Sequence, residues 1–304
     1  MGLALVTIPA LFFFALSLTV SAAPPSPPPI AKIGFAFPPL EHLKYYNKAT
    51  FTDLRDGLHA DFIRTGWIPT WMMKYDKVPW RLEDRAMHRA CHAGLKVMII
   101  TPNFKDDVKG EEHLYGNIEE FFARYDAREH GCIAWAEIAN EADLPRNQFA
   151  DVDAYARYYE RVAPIAAKYG ITVITTGTSG KDTPWTYRLA QLLHAAQAPV
   201  DGFGFHPYGI APNAMRAALG EMRQAASGGA KQLPEVYVTE LGVKDPDGLY
   251  DAIVNLAQAT PVLTIFEYVG QRDEDRAYGV KDDPRLYRAV QRALQHLASV
   301  TYNS

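Results

Sequence analysis

The chain lacks any concentrated basic segment: 35 acidic residues outnumber 31 lysines and arginines, giving a formal net charge of −4 over 304 residues. Phosphate-backbone binding draws on clustered cations, so nucleic acid is excluded as a partner. No Gly-x-Gly-x-x-Gly or Gly-x-x-x-x-Gly-Lys loop follows an early candidate strand. Nucleotide binding is therefore unsupported, and an open doubly wound sheet becomes the lesser alternative for the fold. Cysteine is nearly absent as well. Cys91 and Cys132 have no histidine and asparagine partners of the kind that activate a thiol. They form either one disulfide at one end of the fold or two buried thiols. His88 and His92 lie one helical turn apart beside Cys91; solvated surface is the expectation, with metal ligation a minor alternative. No metal or other cofactor is expected.

Charge is also missing from residues 2–23, an apolar stretch centred on Phe12, Phe13 and Phe14, with Val20, Ser21 and Ala22 offering small residues for cleavage near its end. A secretory signal peptide over residues 1–23 is the expectation, and the chain is accordingly expected to be secreted. The alternative is an uncleaved membrane anchor, since the stretch approaches the roughly 20 residues that span a bilayer and lacks an early Lys or Arg. Residues 24–29, Pro-Pro-Ser-Pro-Pro-Pro, form a stiff extended linker, because proline fixes φ and donates no hydrogen bond.

The remaining residues, 30–304, are one domain by their patterning. The chain is 48% hydrophobic, enough for one large core, and short β-branched runs alternate with longer amphipathic stretches. Strands are predicted over 31–37, 61–65, 95–101, 132–140, 172–176, 200–206, 235–240 and 261–268, with helices over 51–58, 80–93, 118–129, 152–168, 185–196, 214–226, 249–259 and 284–298. Caps are read at Thr50 to Asp53 and at Asp151, and helix-closing glycines at Gly94 and Gly170. Eight strand-helix units are the count of a closed (β/α)8 TIM barrel, and a monomer is expected.

Chemistry in such a barrel sits where the strands end, and these ends are polar: Arg64 with Trp67 and Trp71, Asn103 and Phe104, Asn140 and Glu141, His206 and Tyr208, Glu240, then Glu267 and Tyr268. Alternation along the fourth strand places Glu137, Ala139 and Glu141 on one face. Either glutamate alone reads equally well as a cap or an ion pair. Together, on the fourth and seventh strands, Glu141 and Glu240 converge across the barrel mouth, where carboxyls about 5 to 5.5 Å apart support double displacement at an anomeric carbon.

Four motifs and a fifth segment carry a resemblance: Ile63-Arg64, Glu137-Ile-Ala-Asn-Glu141, Phe205-His-Pro-Tyr208, Val238-Thr-Glu-Leu-Gly242, and Tyr278-Gly-Val280 with Asp-Pro-x-x-Tyr287. In this ordered set the chain resembles the retaining glycoside hydrolases of clan A, the cellulase-like (β/α)8 enzymes, and looks most like their family 5 and family 39 groups. The resemblance implies Glu141 as general acid/base and Glu240 as nucleophile, with Asn140 on the sugar 2-hydroxyl. It implies Arg64 and Tyr208 as the groups orienting Glu240, and His206 within the surrounding hydrogen-bond network. The charge of Glu240 is expected to oppose ionisation of Glu141, which then keeps its proton.

The pattern departs at Ala139 and Ala142, where relatives often carry Trp and Pro, and at Phe266-Glu-Tyr268, where many carry a Trp beneath the sugar. Tyr268 then supplies the platform, or none exists. Glu267 is expected to support the site rather than catalyse, and Glu137 to be a buried, paired carboxylate. Further stacking candidates are Trp67 and Trp71, then Tyr75, Tyr115 and Trp185. The expected activity is endo-hydrolysis of a β-linked polysaccharide or oligosaccharide substrate. Glycosyl transfer with the same carboxylate pair, or a non-catalytic polysaccharide-binding barrel, are the alternatives.

Overall fold

The structure is a computed structural model describing residues 30–40, 42–66, 80–103, 112–147, 149, 151–270 and 276–302. Eight parallel strands close into a barrel, β1 to β8 in chain order, with β1 paired to β8. They are β1 Lys32–Phe37, β2 Phe62–Gly66, β3 Lys96–Ile100, β4 Ile133–Glu137, β5 Thr172–Ser179, β6 Gly202–His206, β7 Val236–Leu241 and β8 Val262–Ile265. The helices around them are α1 Lys48–Thr52, which runs on as a π turn through Gly57, α2 Trp80–His92, α3 Glu112–Arg128, α4 Val152–Ala167, α5 Thr183–Ala196, α6 Met215–Ala226, α7 Pro246–Leu256 and α8 Pro284–Tyr302. The single (β/α)8 barrel expected from the sequence is present. Among the described residues no helix is long and apolar enough to cross a membrane.

Helix starts follow short acceptor side chains: Asp151, Asp182 and Asp245 each accept from the free amide three residues on. The first helix is capped by Asn47, which accepts from Thr50 N–H, and not by the Thr50–Asp53 segment read from the sequence. Gly94 and Gly170 take φ of 84° and 68°, the left-handed geometry that ends a helix. Cys91 at the end of α2 and Cys132 before β4 form a disulfide, with Cα atoms 5.7 Å apart.

The barrel interior is layered. Phe62, Met98, Ile174, Tyr237 and Val262, with Trp135 against them, fill its lower part. Gly34 and Gly202 admit two of those rings, since a Cβ there would stand 2.3 Å from Phe62 and 2.2 Å from Tyr237. Above this apolar plug the interior becomes charged, with Arg64, Glu137 and His206 all buried.

Candidate active site

The strand ends enclose a cleft of about 960 Å³ lined by Arg64, Asn103, Asn140, Glu141, Tyr208 and Glu240, among others. Arg64 is its hub. One guanidinium spans three acceptors: Nε donates to Glu137 Oε2 at 2.6 Å, Nη1 to Glu240 Oε2 at 2.6 Å and Nη2 to Asn140 Oδ1 at 2.7 Å. A planar fork of donors fixes several groups at once, which a lysine could not do. Burial works against the Arg64 charge, but Glu137 and Glu240 outweigh it and raise its pKa. Glu137 is saturated, because its Oε1 also accepts from Gly177 N–H and from Thr239 Oγ1, both at 2.9 Å. Burial pushes the Glu137 carboxyl up, yet the charge of Arg64 and then His206 hold it down at about 2. It is the buried, paired carboxylate anticipated.

Glu240 accepts from Arg64 on one oxygen and from the Tyr208 hydroxyl on the other. Tyr208 remains a neutral donor, since burial and the Glu240 charge raise its pKa far above that of a free phenol. Strict alternation cannot aim both Thr239 and Glu240 inward. The ladder between β7 and β8 shifts register between Val238 and Leu241, and such a bulge lets two consecutive side chains reach the same interior.

Glu141 arrives differently. Strand β4 ends at Glu137, not at Asn140 as read from the sequence, and the chain then places Ala139 at φ 64° and Glu141 at φ 46°. Two non-glycine residues in the left-handed region cost on the order of 1–3 kcal/mol each and persist where surrounding contacts hold them. Those contacts are present: Ala139 N–H donates to Thr101 Oγ1 at 3.0 Å, and Asn140 N–H to Asn103 Oδ1 at 2.8 Å. Asn103 Nδ2 returns a bond to Asn140 O at 2.9 Å, and Asn147 Nδ2 donates to Glu141 O at 2.9 Å.

His206 joins the two halves. Thr239 spends its one hydroxyl proton on Glu137, so at 3.1 Å His206 Nε2 must be the donor to Thr239 Oγ1. The other ring nitrogen, Nδ1, lies 3.3 Å from Glu141 Oε1 and 4.0 Å from Glu240 Oε1. A single proton is therefore shared between imidazole and Glu141. Burial pushes His206 down, but the Glu240 charge and hydrogen bonds to Glu137 and Glu141 raise it to about 9. Burial likewise pushes Glu141 up, and His206 followed by Arg146 (Nη2 to Oε2, 3.2 Å) outweighs it. Glu141 is thus held below the usual carboxylate range, contrary to the expectation that it keeps its proton; the cations around it matter more than Glu240. Three cationic groups, Arg64, His206 and Arg146, face three carboxylates, Glu137, Glu141 and Glu240.

One potential ligand atom from each of Glu141, His206 and Glu240 lies within 4.8 Å of the others. Both carboxylates are already matched by guanidinium groups, and the imidazole edge facing them holds the shared proton. This donor set suits proton transfer better than a metal ion.

The sequence reading placed Tyr268 in the site, and the structure moves it out. Its ring is fully buried and packs on Phe37, and its hydroxyl donates to Asp53 at 2.5 Å, an acceptor it shares with Tyr287 at 2.8 Å. The chain leaves the β8 ladder after Ile265, so the strand's alternation no longer governs where Tyr268 points. Among the described residues the aromatic groups lining the cleft are Phe37, Tyr208, Phe266 and Tyr278. Tyr115 and Trp185 pack instead on Tyr158 and Tyr155. Trp67, Trp71, Tyr75 and Phe104 lie outside the described residues, as do residues 1–23 and 24–29. Arg146, Asn147, Lys244 and Glu267 line the cleft too. Of these only Glu267 carried a signal in the sequence.

Searches with family models find no match, and no curated protein sequence matches either. Solved structures do match in fold. A GH39 enzyme from Xanthomonas axonopodis pv. citri aligns at TM-score 0.67 and 15% identity, over 86% of this chain and 65% of that one. A monomeric beta-xylosidase from Caulobacter crescentus CB15 aligns at 0.63 and 15%, over 79% of this chain and 61% of that one. A GH128 endo-beta-1,3-glucanase from Amycolatopsis mediterranei, in complex with laminaritriose, aligns at 0.53 and 15%, over 86% and 99%. The chain spans under two thirds of the length of the first two. It shares the (β/α)8 fold of glycoside hydrolases.

Proposed function

We propose that the chain is an exported retaining β-glycosidase, an endo-acting glycanase that hydrolyses a β-linked polysaccharide by double displacement. The observation that carries this reading is the pair of carboxylates across the cleft: oxygens of Glu141 and Glu240 lie within 4.8 Å of each other. So close an approach of two carboxylate oxygens supports the short separation of carboxyl groups, roughly 5 to 5.5 Å, that retaining enzymes use. Two hydrogen bonds, from Arg64 and Tyr208, orient Glu240 as the nucleophile. Fold neighbours that include xylan- and glucan-active enzymes support the substrate class, and the uncharged N-terminal stretch supports export.

In the first step a Glu240 oxygen bonds to the anomeric carbon while the glycosidic C–O bond breaks, and the leaving oxygen takes a proton from Glu141. The proton shared with His206 Nδ1 is its source: a glycan in the cleft displaces water and the exposed Arg146 from Glu141, and both losses favour the protonated carboxyl. In the second step ionised Glu141 takes a proton from water, whose oxygen attacks the anomeric carbon and releases Glu240. Asn140 Oδ1 accepts from Arg64 Nη2, so its amide nitrogen is the group it has left for the sugar 2-hydroxyl.

The test uses aryl β-glycosides with good and poor leaving groups. Glu141→Ala should lose about 10²–10⁴-fold on poor leaving groups and far less on good ones, whereas Glu240→Ala should fall to background on both. Equal inertness of wild type and Glu240→Ala toward every β-configured donor, with polysaccharide still retained on a column, would establish a binding protein instead.

A further inference from the structure

At the end of the barrel opposite the cleft, His88 and His92 stand one turn apart on α2 and both face Glu129, which follows α3. His88 Nδ1 lies 3.0 Å from Glu129 Oε1 and His92 Nε2 lies 3.4 Å from Oε2. The two imidazole centroids are 3.9 Å apart, and one potential ligand atom from each of the three residues falls within 4.8 Å of the others. We propose that these three side chains form a binding site for a divalent late-transition ion such as zinc, completed by water, which clips α2 to the turn entering β4.

Zinc bonds of about 2.0–2.1 Å set donor-to-donor edges of about 3.4 Å in a tetrahedron, so the donors need only modest side-chain rotation. Two imidazoles with one carboxylate match the preferences of zinc, copper and nickel, and do not match calcium or magnesium, which take oxygen donors. The frame is already rigid. Glu129 is only 12% exposed, and its carbonyl accepts from Cys132 N–H at 2.9 Å. Cys132 is disulfide-bonded to Cys91, the residue next to His92.

Of the charged neighbours that would oppose a cation, Arg85 lines the same surface as His88 and Glu129, and three others are engaged elsewhere. Arg128 pairs with Asp84 at 3.0 Å, Lys96 Nζ donates to Gly131 O at 2.7 Å, and His130 pairs with Asp126 at 2.9 Å. The histidines are 59% and 64% exposed, so an ion reaches them directly from solvent. Strand starts, where this site sits, contribute stability and not chemistry in such barrels. The site therefore braces the same two segments as the disulfide and is independent of the hydrolytic reading.

Titration of the metal-free mature chain with Co²⁺ should produce visible absorption saturating at one equivalent, and Zn²⁺ should displace it. Free Zn²⁺ at 100 times its Kd should raise the folded-to-unfolded ratio about 100-fold, read as a higher melting temperature. The double variant His88→Ala/His92→Ala should melt normally without metal and lose both responses, while retaining wild-type hydrolysis. Glu129→Gln should weaken binding at least about tenfold through loss of the charged donor. Absence of Co²⁺ absorption up to millimolar metal, or an unchanged response in the double variant, would overturn the proposal.

Discussion

Replacing Gly177 with alanine would place a methyl carbon 2.2 Å from His206 Nε2, 2.3 Å from its Cδ2 and 2.7 Å from Thr239 Oγ1. The backbone cannot yield easily, because Gly177 N–H is bonded to Glu137 Oε1 at 2.9 Å and the strand pairs with Gly204 on β6. His206 must therefore retreat by about 1 Å to recover ordinary contact distance. That movement disturbs both its 3.1 Å bond to Thr239 and its 3.3 Å contact with Glu141. Overpacking of this kind costs about 1–3 kcal/mol, and a buried charge-assisted hydrogen bond about 1.5–3 kcal/mol more. If His206 supplies the proton as proposed, a displacement of about 1 Å should lower turnover by about 10²-fold. The assay is kcat/KM across pH on a β-glycoside with a poor leaving group, alongside a urea titration. A Gly177→Ala enzyme with wild-type stability and an unchanged pH profile would refute the assignment of His206 as the proton partner of Glu141.

Buried ionisation should also shape stability against pH. Glu137 falls from 4.5 to about 2 on folding, so its contribution is complete above pH 4.5 and lost as pH drops toward 2. His206 rises from 6.5 to about 9, so its contribution is complete below pH 6.5 and lost as pH climbs through 9. Each is worth about 3 kcal/mol; urea midpoints should peak between pH 4.5 and 6.5, and a maximum above pH 9 would contradict the charge assignments. Arg64→Met leaves Glu137 and Glu240 buried without their cation and should cost about 3–5 kcal/mol, whereas near-wild-type stability at pH 7 would show the hub to be dispensable. Removing the disulfide as Cys91→Ser/Cys132→Ser frees a crosslink spanning 41 residues and should cost about 4 kcal/mol by loop entropy, with catalysis intact; a loss under 1 kcal/mol would mean that the unfolded chain is already constrained there.

The barrel was legible in the sequence because each strand is a short apolar run closed by polar residues, and each helix a longer amphipathic one; most boundaries move by only a few residues. Arg64, Asn103, Asn140, Glu141, His206, Tyr208 and Glu240 were legible for the same reason, as strand ends. What escaped was geometry that breaks periodicity. The left-handed Ala139 and Glu141 carry no sequence mark, since φ above zero is signalled by glycine and neither is one. The bulge that turns both Thr239 and Glu240 inward follows from pairing with β8, and pairing is not local. Tyr268 was misplaced because its partner, Asp53, is 215 residues away. The direction of the Glu141 shift was misread because Arg146 and the charge of His206 are properties of the assembled site.

A β-configured 2-deoxy-2-fluoro glycosyl fluoride tests the central claim most directly, since its 2-fluorine slows both steps through their oxocarbenium-like transition states while the fluoride leaving group restores only the first. Intact mass after incubation should rise by one fluoroglycosyl group, peptide mapping should place the group on Glu240, and Glu240→Gln should take up none. Labelling of a different carboxylate, or no adduct from an enzyme whose hydrolysis product has the inverted anomeric configuration, would contradict it.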